Sequence, residues 1–107
     1  MIVKIKDYMY TIIEVDEHDR DLFSDGELIL YGLTKHVTQE IKIYKHLSVI
    51  RRRETLIHEL THAFCDVYIN SFHIKDKFDE EDICCFMATY SEDILKIVNK
   101  YLEKEEV

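Results

Sequence analysis

Two histidines and a glutamate stand at a spacing that can do chemistry: His58, Glu59 and His62, within Thr55-Leu56-Ile57-His58-Glu59-Leu60-Thr61-His62-Ala63-Phe64. Residues four apart on a helix lie one turn apart on the same side. Both imidazoles can therefore converge on one Zn2+, and the glutamate between them can reach a metal-bound water as general base. Taking about 100° per residue with His58 at zero puts His62 near ~40° and Glu59 near ~100°, whereas Leu56, Leu60, Ala63, Phe64 and Val67 cluster around ~140–240°. The spacing predicts a helix that buries its apolar side and presents all three chemical side chains on the other.

A hydrolytic zinc site needs a third protein ligand and one open position. Asp66 shares the helix side of the histidines, but three ligands spread over two turns of one straight helix converge badly on one ion. It reads as a partner that orients an imidazole, or as a solvated acid. His73, in an expected loop, is a second candidate. The longer pattern, with a glycine three residues after the motif and a third histidine three further on, is missing, because Cys65 and Tyr68 stand there. The acid run Asp79-Glu80-Glu81-Asp82 opens an expected helix, where carboxylates also complement the helix dipole. Within it Glu81 lies opposite Ile83, Met87 and Tyr90 and beside the small residues Cys85 and Ala88. Glu81 is the expected third ligand, and the helical wheel alone leaves Glu80 open.

These side chains must be held by a scaffold, and the periodicity outlines one. Residues 2–15 are rich in Ile, Val, Tyr and Thr and read as strand, residues 27–33 as a second strand, and residues 38–44 as a third with Ile41 and Ile43 on one face and Lys42 on the other. Between the first two lies an acidic stretch, 16–27, expected as a solvated polar turn or short helix. From about 48 to 69 the pattern turns helical. A second helix is expected from Asp79 as N-cap, with Asp82 three residues on and a Phe78–Ile83 staple, and with a buried stripe of Ile83, Met87, Tyr90, Ile94, Ile97 and Tyr101. The expected fold is α+β: one domain over 1–107, a small three-stranded sheet followed by an active-site helix and a long C-terminal helix.

Composition narrows the function classes. The chain has 107 residues, 14 Lys plus Arg against 22 Asp plus Glu, and a formal charge of −8. Such acidity argues against nucleic acid as partner, since backbone binding needs concentrated Lys and Arg; the run Arg51-Arg52-Arg53 reads as the start of a helix balancing nearby acid. Three cysteines, two of them adjacent, make a poor disulfide framework and suit a reducing compartment. No apolar run approaches the roughly 20 residues of a membrane span, and the first residues lack a signal peptide's apolar core, so a cytoplasmic protein is expected.

The passage from Tyr31-Gly32 through Gln39-Glu40-Ile41-Lys42-Ile43 to the Thr55–Phe64 block, and then Glu80-Glu81-Asp82-Ile83-Cys84-Cys85-Phe86-Met87-Ala88, resembles the small single-domain zincin-like metallopeptidases of the gluzincin type, many of them encoded by phages and mobile elements. The resemblance covers about 31–92. It implies a minimal zincin-like fold, Zn2+ held by His58, His62 and Glu81, Glu59 as general base, and an edge strand at 39–44 that pairs with an extended substrate. Cys84 and Cys85 depart from the acidic or polar residues often seen there, and no residue matches a known oxyanion donor; Tyr68, His73 and Tyr90 are the candidates. The function expected is hydrolysis of peptide bonds in a peptide or protein substrate. Its alternative is a zincin-shaped binding module docking on a host or phage protein, and a third reading makes zinc a structural staple with four protein ligands. Oligomeric state is not legible.

Overall fold

The computed structural model describes residues 1–69 and 79–105; His73 and Phe78 lie outside them. The order is β1 (Ile2–Ile5), β2 (Tyr8–Val15), β3 (Phe23–Ser24), β4 (Glu27–Leu28), β5 (Gly32–Lys35), β6 (Glu40–Tyr44), α1 (Val49–Tyr68) and α2 (Glu80–Glu105). This is the expected α+β class with a larger sheet than the three strands anticipated. Four strands run β1-β2-β6-β5, with β2 and β6 parallel and the other neighbours antiparallel, and β3 and β4 form a separate hairpin.

Two local features account for the difference. The apolar stretch 2–15 is broken by a turn at Lys6 and Asp7, where Lys6 takes a left-handed φ of 56°, so one expected strand becomes the β1–β2 hairpin. The second expected strand is likewise interrupted: residues 29–31 leave the β3–β4 hairpin and β5 begins only at Gly32. The edge strands are consequently β1 and β5, not 39–44. β6 is flanked on both sides, because Ile41 and Ile43, wholly buried, hold it in the centre of the sheet.

The inner face of the sheet carries Val3, Ile5, Tyr10, Ile12, Ile41 and Ile43 against Leu56, Leu60, Ala63, Phe64 and Val67 of α1. Ser48 caps α1, its hydroxyl accepting from the Arg51 amide at 3.2 Å. α2 opens with the anticipated cap in reciprocal form: the Asp82 amide donates to Asp79 Oδ1 at 2.9 Å and the Asp79 amide to Asp82 Oδ2 at 3.1 Å. The expected stripe holds from Tyr90 onward, but Ile83 and Met87 are each 50% exposed, and Phe86 is the buried residue of that turn. The helices are antiparallel, with Phe64 against Tyr90 and Arg53 bonded to Asn99, so the first turn of α2 runs past the C-terminal end of α1 and has no helix beneath it among the described residues.

The acidic stretch is not simply solvated. Lys42 Nζ donates to Asp19 Oδ2 and to Asp21 Oδ2, both at 2.8 Å, and Lys35 Nζ reaches Asp21 Oδ2 at 3.1 Å. Asp19 also accepts from the Asp21 and Leu22 amides. Burial pushes the Asp19 carboxyl up, but the Lys42 bond and these amides outweigh it and hold the group below the ordinary carboxylate range. Leu22 is completely buried beneath this clamp. The loop is thereby fastened to the outer face of β5 and β6, two of the strands that α1 packs against on the inner face. The three arginines are taken up by the chain itself: Arg51 lies over the Tyr31 ring at 5.0 Å, Arg52 pairs with Glu14 at 3.6 Å and Arg53 donates to Asn99 at 2.7 Å. No helix among the described residues is long and apolar enough to cross a membrane.

Candidate active site

α1 places His58 and His62 one turn apart on its exposed side, and their Nε2 atoms stand 3.2 Å apart. Two nitrogens each about 2.05 Å from zinc and subtending a tetrahedral angle are about 3.3 Å apart. The separation, which is that of a hydrogen bond between the two rings inclined at 74°, is also one that a shared ion would allow. The pair fits zinc.

Glu59 is placed differently from the expectation. At 6% exposure it is buried, not presented openly beside the histidines. Its angular position borders the apolar side of α1, and β5 closes over it there. The Thr34 hydroxyl lies 2.9 Å from both Glu59 Oε1 and the Glu59 carbonyl, while Oε2 is left 4.0 Å from His58 Nε2. The contact of strand and helix depends on Gly32. A Cβ there would meet Thr55 Cγ2 at 2.7 Å, the Lys42 carbonyl at 2.9 Å and Glu59 Cγ at 3.1 Å. Gly32→Ala must push α1 off β5 and should cost about 1–3 kcal/mol, read as a fall in the denaturation midpoint at unchanged m-value; a variant as stable as the parent would show that the contact yields freely.

Beside these groups opens a cleft of ≈ 270 Å³, lined by Leu30, Tyr31, Arg51, Thr55, His58 and Glu59 among others. One wall is the chain leading into β5 and the other is the first half of α1. Thr34 and Gly32 belong to this site; Thr34 was not singled out from the sequence, and Gly32 entered only as part of the family resemblance. Their signal was the i, i+2 spacing that puts both on one strand face, hidden because the expected strand ended at residue 33.

Glu81 stands apart from the pair. It is exposed in the first turn of α2, with Cys85 Sγ 3.9 Å from its Oε1, and that turn runs beyond α1 while the histidines sit mid-helix. Glu80, the alternative, is exposed in the same turn. Among the described residues no three His, Cys, Asp or Glu side chains stand as a group able to hold a metal ion. Asp66 joins Tyr10 and His36: its Oδ2 is 3.5 Å from the Tyr10 hydroxyl and 3.5 Å from His36 Nδ1. Burial, followed by the Asp66 charge, pushes the Tyr10 phenol up to about 12, so that it stays protonated as a donor. Tyr68 and Tyr90, considered as oxyanion donors, stack on each other at 4.5 Å in the aromatic seam between the helices and do not line the cleft.

A protein-family model described as the IrrE N-terminal-like domain, Peptidase_M78, matches residues 12–90, well over half of the chain. The matched span runs from the second half of β2 through the first turns of α2, and holds His58, Glu59, His62, Gly32, Thr34 and Glu81. No curated protein and no solved structure matches.

Proposed function

Because the chain belongs to the Peptidase_M78 family of IrrE N-terminal-like domains, we propose that it is a zinc-dependent metallopeptidase of minimal zincin-like form that hydrolyses peptide bonds in a peptide or protein substrate. The observation that carries this reading is the 3.2 Å separation of the His58 and His62 Nε2 atoms beside a buried glutamate and an open cleft. Zinc in such a setting supplies Lewis-acid polarisation of a carbonyl and acidifies water toward neutral pH. The chain's own residues do the rest. His58 and His62 hold the ion. Glu59, through the oxygen nearer the histidines, takes the proton of the attacking water and passes it to the leaving amine. The edge strand β5, which continues from the chain that walls the cleft, offers an extended peptide backbone hydrogen bonds.

Glu81 is the third ligand in this reading, and it would have to approach the pair when the ion binds. Support comes from the exposure of Glu81, Ile83, Cys84, Cys85 and Met87: among the described residues of the first two turns of α2 only Phe86 is buried, so a shift of the first turn costs little. The open cleft favours an enzyme over the binding-module alternative, in which the chain's own residues would fill it. Zinc-loaded protein should cleave reduced, unfolded casein, lose the activity with EDTA and regain it on returning zinc. Protein that holds zinc yet leaves casein and peptide libraries intact would move the reading to the binding module.

A further inference from the structure

A mid-helix carbonyl such as that of Glu59 already accepts its own i+4 amide, so the single hydroxyl proton of Thr34, within 2.9 Å of two oxygens, goes to the side-chain Oε1. That bond ties down Oε1 and leaves Oε2 toward the imidazole pair, 4.0 Å from His58 Nε2. Two residues before Thr34, on the same strand face, Gly32 lies against the stem of the same side chain, where a Cβ would come within 3.1 Å of Glu59 Cγ. β5 thus grips Glu59 at stem and head.

We propose that Thr34 is the positioning residue of the general base, dividing the two Glu59 oxygens into one anchored to β5 and one presented to the reacting water. The proposal rests on the metallopeptidase reading for what the presented oxygen does, but not for where it is held. β5 is also an edge strand of the sheet, so the strand that would align a substrate is the strand that aims the base.

The test compares zinc-loaded wild type, Thr34→Val and Thr34→Ser by crystal structure, zinc content and cleavage of a fluorescence-quenched random peptide library. Valine keeps the shape and suits a strand, so the fold is retained. Thr34→Val should bind zinc as the wild type does, release the Glu59 carboxylate from its position beside β5, and lower kcat by roughly 10- to 100-fold with KM unchanged. Thr34→Ser should restore both the Glu59 position and kcat. A Thr34→Val protein whose Glu59 carboxylate stays in place overturns the proposal, as does a rise in KM at constant kcat. Wild-type protein that binds zinc and cuts nothing contradicts the metallopeptidase reading alone, and the position of Glu59 in the two variants still decides the role of Thr34.

Discussion

Glu59→Gln should leave zinc binding and the fold intact while peptide cleavage falls by roughly 10²- to 10⁴-fold, the usual contribution of a positioned general base. The substitution isolates the base because everything else about the side chain survives. The amide oxygen can still accept from the Thr34 hydroxyl, and the stem still fills the space beside Gly32. What disappears is the capacity to take a proton. Glu59→Ala would be a poorer experiment, since removing a side chain that is 6% exposed opens a gap beneath β5 and confounds chemistry with packing. Zinc content, thermal midpoint and turnover measured on one preparation separate the cases. A Glu59→Gln protein that cleaves at the parental rate would remove Glu59 from the chemistry.

His58→Ala and His62→Ala should each weaken zinc binding by more than about 100-fold, since even partners outside the first coordination sphere are worth roughly 10- to 100-fold. Stability of the metal-free protein should scarcely change, within about 0.5 kcal/mol, because both rings are exposed on α1 and neither belongs to the core. In the wild type, zinc should raise the melting temperature by mass action, and in either variant that rise should vanish at the same zinc concentration. Glu81→Ala should weaken zinc as well, with Glu80→Ala close to the parent. The reverse order would transfer the third-ligand role to Glu80.

The helical half of the molecule was legible because its signals are local. Apolar residues at helical spacing define α1, and the Asp79–Asp82 cap marks where α2 starts. The His-Glu-x-x-His spacing placed the two imidazoles correctly because helix geometry alone fixes their relation. Strand order was not local. Whether residues 39–44 form the edge or the centre depends on β5 pairing with one side of β6 and β2 with the other, and nothing within those residues reports their neighbours. The burial of Glu59 was hidden for the same reason: a helical wheel describes one helix, and β5, far away in sequence, covers that part of its surface. Ile83 and Met87 show the converse error, apolar residues in phase with a stripe that holds only from Tyr90 onward, while Phe86 takes the buried place in their turn. The acidic stretch looked like surface by composition, yet Asp19 and Asp21 are claimed by Lys42, a residue whose outward-facing position in β6 was read correctly while its partners were not.

The account stands on His58 and His62 sharing one zinc ion beside Glu59, and the structure of the zinc-loaded protein tests this most directly. The expected result is one zinc per chain bound through both Nε2 atoms, with a carboxylate from the first turn of α2 as the third protein donor and water within reach of Glu59. Protein purified without chelators that contains no stoichiometric zinc, or zinc bound away from these two histidines, would contradict it.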